Sequence, residues 1–244
     1  MEATSEHRKA VRRTSSPRPA TAAAPARRPR RRMAAEDREE AILREATVYF
    51  AEHGLSAGTT ELARRIGITQ PLLYKYFDTK DALIERIYER LIPKNWNPSW
   101  ELLIDQDDLP LRERLKRFYV EYATTVLTYE HVRLFLFSGL SRNNFNARYY
   151  GVLSQRILER IARALRREYC PSTRSRKVTK AELELAQSLH AAIYHLAFRR
   201  WVHGEPLGDE LVSLVGRKVD FYLDGAAKTL SPAPRARARA PQPA

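Results

Sequence analysis

The chain has 244 residues, of which 43% are hydrophobic and 9% aromatic, a composition that suits a folded body and excludes a wholly disordered chain. It contains no run of about 18 consecutive apolar residues, so no membrane-spanning helix is expected, and no apolar secretory segment is expected at the N-terminus. The single cysteine, Cys170, excludes an internal disulfide and suits a reducing cytoplasm.

The formal net charge of +14 is concentrated near the two ends of the chain. Residues 1–32 contain ten Lys or Arg against two acidic residues, and residues 231–244 add three arginines, which leaves +3 on the body. Both ends are rich in Ala, Pro and Arg without a hydrophobic period, so we predict disordered basic tails there. Met33 directly follows the first tail and is an alternative start. Basic tails attract nucleic acid without reading its sequence, so the charge alone does not identify a function.

Apolar residues between the tails recur with helical spacing almost throughout, which predicts an all-α fold. In the first helix they recur at i, i+4 and i+8 from Ile42 to Phe50, and Gly54 follows as a stop. A short second helix is predicted from Thr60 to Ile66.

Gly67 separates the second predicted helix from a third, whose expected N-cap is Thr69 and whose first turn contains Pro71. Asp78 or Thr79 is expected to cap a fourth helix. Further helical patterns lie at about 110–129, 131–141, 145–169, 179–203 and 208–230.

The first three helices, with a glycine turn between the second and third, have the pattern of a helix-turn-helix. Leu73 and Phe77 share one side of the third helix, which we expect to pack on the second helix. The other side and the N-terminal end are expected to face DNA. Gln can pair with adenine, Pro or Leu can contact a thymine methyl, and Tyr or Lys can bind phosphate. The predicted DNA-facing residues of this helix are Gln70, Pro71, Leu72, Tyr74, Lys75 and Tyr76.

The run from about 38 to 83 resembles the N-terminal domain of the tetracycline-repressor (TetR/AcrR) family of regulators. The elements "FAEHG", "LARRIGI" and "LYKYF.TK..L" occur in order and with the family's spacing. The resemblance implies a helix-turn-helix DNA-binding domain at 33–83 and a helical ligand-binding and dimerisation domain at 84–230.

Residue roles also follow from the resemblance. Aligned on Leu62, the family's phosphate-contacting threonine falls on Thr59 rather than Thr60, although Gly58 stands where the family usually has another threonine. Both threonines are kept as candidate DNA contacts. Lys80 matches a lysine that binds the DNA backbone, and a local ion pair with a neighbouring aspartate is its alternative role.

Aromatic residues are plentiful in the second half of the chain. Ordinary core packing is the alternative for each, but together they are consistent with a cavity for an apolar or aromatic ligand between helices. His190 and His195 are five positions apart and do not share a helix face, so no metal or cofactor is expected. The predicted pocket residues are Trp100, Tyr122, Phe135, Phe145, Tyr149, His190 and Tyr194.

The last two helical patterns carry small and apolar residues on one face. In the family such a pair docks on its symmetry mate, which implies a two-fold dimer whose recognition helices lie about one DNA turn apart on a pseudo-palindromic operator. The face comprises Leu185, Leu189, Ala192, Leu196, Leu211, Leu214, Val215, Val219 and Tyr222.

The leading hypothesis is therefore a cytoplasmic homodimeric repressor that leaves its double-stranded operator when a small molecule fills the second domain. One alternative is a nonspecific nucleoid protein driven by the basic tails. Another is a ligand-activated activator of the same fold, which the sequence does not separate from a repressor. Catalysis is not expected, since no nucleophile and base occur at recognisable spacing.

Overall fold

The computed structural model describes residues 35–94, 96–141, 145–170, 177–207 and 210–230. Both predicted tails lie outside these ranges. Every regular element of the described residues is helical, which confirms the predicted all-α fold. The elements are α1 (Ala35–His53), α2 (Thr59–Ile66), α3 (Gln70–Tyr76), α4 (Lys80–Lys94), α5 (Ser99–Asp105), α6 (Leu111–Thr125), α7 (Tyr129–Gly139), α8 (Phe145–Leu153), a π-helical turn (Ser154–Leu158), α9 (Glu159–Tyr169), α10 (Lys180–Trp201) and α11 (Glu210–Leu230).

We refer to α1 to α3 as the head and to α5 to α11 as the bundle, and α4 follows the head along the chain. The core face predicted for α1 is confirmed, because Ile42, Ala46 and Phe50 are all buried. Gly54 follows α1 with φ 84°, a left-handed conformation that glycine adopts without a steric cost. The hydroxyl of Thr79 accepts a hydrogen bond from the Ala82 N–H at 3.0 Å, so Thr79 is the side-chain cap at the start of α4.

Helices α5 to α11 form the bundle, in which α6 packs along α11 and α10 packs against α7, α9 and α11. The sequence did not predict α5. Asn97 begins it by accepting hydrogen bonds from the backbone N–H of Ser99 at 3.0 Å and from its hydroxyl at 2.7 Å, and the helix buries Trp100 and Ile104. The continuous helical stretch expected at 145–169 is present, with the π-helical turn between α8 and α9.

The apolar faces of α10 and α11 do not point where the sequence analysis expected. Leu189, Leu196, Val215 and Val219 are at most 1% exposed and belong to the core of their own protomer. Their periodicity marked a buried face correctly, but the prediction that this face meets a second copy is wrong for these four residues. An interface through α10 and α11 would use their other faces.

Within the described ranges, no helix has the length and apolar content needed to cross a membrane.

Candidate nucleic-acid interface and effector site

The turn between α2 and α3 sets the start of α3. Gly67 ends α2 in the left-handed conformation with φ 77°, and its N–H is directed at the Ala63 and Arg64 carbonyls. Thr69 caps α3, as predicted, because its hydroxyl accepts a hydrogen bond from the Leu72 N–H at 3.3 Å. Pro71 lies in the first turn, where a missing N–H costs no helical hydrogen bond.

One side of α3 packs into the head. Leu73 and Phe77 are 1% and 3% exposed, and Leu62 and Ala63 of α2 are buried with them, while Ile66 is partly buried against the same core. The predicted inward face of α3 is confirmed, and it fixes which residues remain outside.

The predicted DNA-facing residues differ in their exposure. Pro71 and Lys75 are exposed, whereas Gln70, Leu72 and Tyr74 are partly buried. Tyr76 is also partly buried, and its ring packs against the head core. The N-terminal turn and outer side of α3 therefore present one amide, one proline ring, one lysine and several partly buried side chains.

Thr59 lies behind this surface rather than on it. Its side chain is buried, and the residue is 6% exposed. The Gln70 amide donates a hydrogen bond to the Thr59 hydroxyl oxygen at 2.9 Å, and that hydroxyl also lies 2.9 Å from the Tyr74 hydroxyl. The neighbouring Thr60 is exposed. The geometry therefore connects Thr59 to two candidate DNA-contacting residues, a connection that spacing along the chain did not indicate.

Lys80 is the first residue of α4, and its ammonium lies 5.7 Å from the centre of the Phe50 ring. None of the ion pairs found among the described residues involves Lys80, so the alternative local pair with an aspartate is not observed there. A lysine in the first turn of a helix gains nothing from the helix dipole, which favours anions at that end. The same dipole and the lysine charge would both attract a phosphate.

The arginines of α2 are not free cations. Arg64 is paired with Glu61, and Arg65 with Glu52 at the end of α1. The hydrogen bond from Arg65 holds the pKa of Glu52 below the ordinary value. The positive charge of α2 is thus partly neutralised, and the Arg65 pair joins α2 to α1.

Arg133 of α7 joins the head to the bundle. Its guanidinium donates to the Ala51 carbonyl at 2.6 Å and to the Glu52 carbonyl at 3.4 Å, at the C-terminal end of α1. A third hydrogen bond, at 3.5 Å, reaches the Trp201 carbonyl at the end of α10. Arg133 therefore links the end of α1 in the head to the end of α10 in the bundle.

The seven predicted pocket residues come together in one aromatic cluster inside the bundle. Its centre is the contact between the Tyr122 and Tyr149 hydroxyls. Trp100 and His190 contact Tyr122 with ring centres 5.9 and 5.2 Å away. On the other side of this contact, the centre of the Phe135 ring lies 6.1 Å from that of Phe145, 5.3 Å from that of Tyr149 and 5.8 Å from that of Tyr194.

Polar atoms of this region are buried without hydrogen-bond partners among the described residues. They include both imidazole nitrogens of His131, Nδ1 of His190, Nε1 of Trp100, and the hydroxyls of Tyr119 and Tyr222. Burial lowers the pKa of His131 to about 4, and burial together with His131 lowers the pKa of His190 to about 4. Both imidazoles are therefore neutral at pH 7. His131 was not among the residues predicted from the sequence, although its i, i+4 relation to Phe135 could have placed it on the inner face of α7.

A groove of about 260 Å³ opens beside the cluster, between α8 and α10. It combines aromatic walls with amide and imidazole groups, so it offers both apolar contact and hydrogen bonding. Its lining residues are Tyr150, Gln187, His190, Ala191, Tyr194, His195 and Phe198. Two of the predicted pocket residues, His190 and Tyr194, belong to this lining. No group of histidine, cysteine and acidic side chains able to hold a metal ion occurs in the part of the chain that is described.

Residues 42–87 match the family model described as "Bacterial regulatory proteins, tetR family". A TetR-like transcriptional regulator from Rhodococcus sp. RHA1 has a similar fold, with a TM-score of 0.58 and 20% identity over 80% of this chain and 100% of that chain. A TetR-family regulator from Streptomyces coelicolor gives a TM-score of 0.57 and 17% identity, over 81% of this chain and 90% of that one. A TetR-family regulator from Thermus thermophilus gives a TM-score of 0.56 and 22% identity, over 75% of this chain and 97% of that chain. The structural likenesses concern the fold, and the family match confirms the resemblance predicted from the sequence.

Proposed function

We propose that this chain, which belongs to the TetR/AcrR family of DNA-binding transcriptional regulators, is a homodimeric repressor that a small ligand releases from a palindromic operator. The ligand is proposed to combine an aromatic body with a hydrogen-bonding group. The observation that carries the proposal is the outer, N-terminal end of α3, where Gln70 and Tyr74 are held in place by a hydroxyl behind them. No catalytic step is part of it, and the cytoplasm is its proposed location because the operator is there.

Base reading is assigned to the first turn of α3. An amide such as that of Gln70 can form two hydrogen bonds with adenine, and Pro71 and Leu72 supply apolar contact for a thymine methyl. Phosphate contacts are assigned to the Thr60 and Tyr74 hydroxyls, to Lys75 and to Lys80 at the start of α4. Tyr76 and Thr59 remain candidate contacts from the resemblance, although the packing of the Tyr76 ring and the burial of Thr59 favour supporting roles.

Dimerisation is assigned to the outward faces of α10 and α11. Along α10, Ala181, Ser188 and Ala191 are exposed on one face, and their short side chains allow another helix to approach closely. On α11, Phe221 is 83% exposed, so its apolar ring is available for contact with another copy of the chain. A second copy of the chain is the proposed occupant of this surface, in agreement with the family resemblance.

The ligand is assigned to the groove between α8 and α10 and to the aromatic cluster beneath it. Unsatisfied buried polar groups are costly, about 1–3 kcal/mol each. A ligand that gives the His190 and His131 nitrogens partners would recover part of that cost, whereas a pure hydrocarbon would not. Because both imidazoles are neutral at pH 7, an uncharged ligand is favoured over an ion.

Release from DNA is assigned to a change in the arrangement of α7 and α10. We propose that this change alters the position of the head through the hydrogen bonds of Arg133 and through α4. A ligand shifts the equilibrium only by its difference in affinity for the two arrangements. That the ligand weakens DNA binding, and does not strengthen it, is inferred from the family resemblance. An activator of the same fold is the alternative, and transcription in vitro with and without the protein on its operator separates the two.

Selection of random-sequence duplexes by the full chain tests the DNA-binding part. We expect enrichment of a pseudo-palindrome whose half-site centres are about 10 base pairs apart. Sedimentation tests the dimer, with Phe221→Glu expected to yield monomers. The matched control is Val212→Glu, since Val212 is also exposed but lies nine positions earlier, on the opposite side of α11. Enrichment of no sequence would instead favour the nonspecific alternative.

A further inference from the structure

We propose that Thr59 is a positioning residue for DNA recognition, which orients the Gln70 amide and the Tyr74 hydroxyl instead of contacting DNA itself. The inference rests on the proposed function, because it assumes that Gln70 reads a base and Tyr74 binds a phosphate. Its structural basis is the pair of 2.9 Å hydrogen bonds that meet at the Thr59 hydroxyl.

The hydrogen bonds among Thr59, Gln70 and Tyr74 determine which donors and acceptors of these side chains remain free to bind DNA. A threonine hydroxyl has one proton to donate and two lone pairs, and a glutamine amide has two N–H donors and one acceptor oxygen. Gln70 uses one N–H on Thr59. One N–H of Gln70 remains to donate to N7 of adenine in the major groove, and the Gln70 carbonyl oxygen remains to accept from the adenine N6 amino group.

The contact between Thr59 and Tyr74 likewise determines whether the Tyr74 hydroxyl can donate to DNA. Either hydroxyl can donate in the contact between Thr59 and Tyr74. A phosphate oxygen accepts hydrogen bonds only, so Tyr74 can bind it only when Thr59 donates to the Tyr74 oxygen and leaves the tyrosine proton free. The Thr59 hydroxyl already accepts a hydrogen bond from Gln70. When it also donates to Tyr74, the one hydroxyl orients both α3 side chains for contact with DNA.

Thr59 is well placed to act as a fixed point. It is the first residue of α2 and is only 6% exposed, and its hydroxyl is already engaged by Gln70 and Tyr74. The preceding residue, Gly58, accepts a hydrogen bond through its carbonyl from the buried Tyr49 hydroxyl of α1 at 3.1 Å. Gln70 and Tyr74 are four positions apart on α3, so they lie on the same face and reach the same hydroxyl.

The first test concerns the free protein and does not depend on DNA. Nuclear magnetic resonance relaxation of the Gln70 side-chain amide is measured in the full chain, in Thr59→Val and in Thr59→Ser. Valine has nearly the same shape as threonine but no hydroxyl, whereas serine keeps the hydroxyl. We expect the amide to become mobile in Thr59→Val and to remain ordered in Thr59→Ser. Equal order in both variants would overturn the proposal.

The second test measures base discrimination on the selected sequence and on its single-base variants. The position that Gln70 reads is the one at which Gln70→Ala loses preference. We expect Thr59→Val to lose about tenfold of the discrimination at that same position, to add little to Gln70→Ala in the double variant, and to be rescued by Thr59→Ser. A uniform loss on every sequence with discrimination intact would make Thr59 a direct phosphate contact and overturn the proposal.

Two controls distinguish a failure of the positioning role from misfolding of a variant and from failure of the proposed function. Thermal unfolding identifies a variant that does not fold, and Thr59→Ala, which also lacks the hydroxyl, then replaces Thr59→Val. If the unchanged protein selects no sequence, the proposed function fails while the relaxation result still decides whether Thr59 orders Gln70. If a sequence is selected but Thr59→Val keeps its discrimination, the positioning role alone fails.

Discussion

The polar side chains behind the DNA-facing surface of the head differ from the buried histidines of the bundle in whether they have hydrogen-bond partners. In the head, the hydroxyls of Tyr49 and Thr59 and the amide of Gln70 all have partners 2.9–3.1 Å away. In the bundle, buried nitrogens of His131 and His190 have none among the described residues. A satisfied network holds its members in one geometry, as recognition of a rigid duplex requires. Unsatisfied buried groups leave free energy that a ligand can recover.

The largest effect should come from breaking the bundle core. Trp100 is 1% exposed and contacts the Phe118 and Tyr122 rings. Trp100→Ala should lower the free energy of unfolding by about 3–5 kcal/mol, from lost apolar burial and the cavity it leaves. Leu102→Ala on the same helix is the control, expected to cost less than about 0.5 kcal/mol because Leu102 is 72% exposed. Denaturant unfolding followed by circular dichroism measures both, and equal losses would contradict the assigned packing.

Removing one glutamine from the head and one from the bundle distinguishes the roles of the two regions in DNA binding. Gln70→Ala should weaken binding to the preferred sequence by about 1–3 kcal/mol and relax preference at one base position. Gln187→Ala, in the groove of the bundle, should leave DNA binding unchanged. Binding to the selected duplex and its single-base variants measures both changes. A sequence-independent loss for Gln70→Ala would remove its base-reading role.

Acid should act on the bundle through its buried histidines. The ordinary histidine pKa is 6.5, and in the folded protein His131 and His190 have a pKa of about 4, so the unfolded chain takes up their protons first. The stability they maintain is complete above about pH 6.5 and falls as the pH drops toward about 4, by about 1.4 kcal/mol per pH unit for each histidine.

His190→Gln should therefore reduce the slope of unfolding free energy between about pH 6.5 and 5.5 by up to about 1.4 kcal/mol per pH unit. The side chains that face His190 from α6 and α7 include Tyr119, Tyr122 and His131, and of these only His131 takes up a proton in this range, when the chain unfolds. The same substitution at the exposed His195 of α10 is the control. An unchanged slope in His190→Gln would show that His190 is not buried as a neutral group.

The smallest effect is expected from the proposed phosphate contact at the start of α4. Lys80→Ala should weaken binding about equally on all sequences and reduce the slope of log affinity against log salt by about 2, which is about 1 for each protomer of the proposed dimer. Lys177→Ala, at an exposed lysine before α10, should leave that slope unchanged. Titrations at several salt concentrations distinguish the two. A loss confined to one sequence would contradict the phosphate role of Lys80.

Local features of the head were predictable because each depends on a few neighbouring residues. Thr69 caps α3 through the N–H three positions later, and Gly67 ends α2 with the positive φ that glycine allows. The inward Leu73 and Phe77 follow from a four-residue spacing. The hydrogen bonds of Thr59 join residues 11 and 15 positions apart on another helix, so no periodicity reveals them.

The bundle was less predictable for a related reason. An apolar face indicates that a helix is covered but not by what, and Leu189 and Val219 proved to be covered by their own protomer. Helix α5 has only seven residues and follows a proline, so its pattern was too short to recognise. The aromatic cluster was anticipated as a group, because large aromatic residues recur on helices that must share one core.

The most direct test of sequence-specific recognition by α3 is DNase protection of the DNA flanking the protein's own gene. The full chain and a variant without residues 1–32 are compared, at about physiological salt and with excess competitor DNA. We expect one protected pseudo-palindrome that both proteins share, with the shorter protein binding more weakly and with less dependence on salt. Diffuse protection that is lost together with the basic tail would contradict the account and assign DNA binding to the tail.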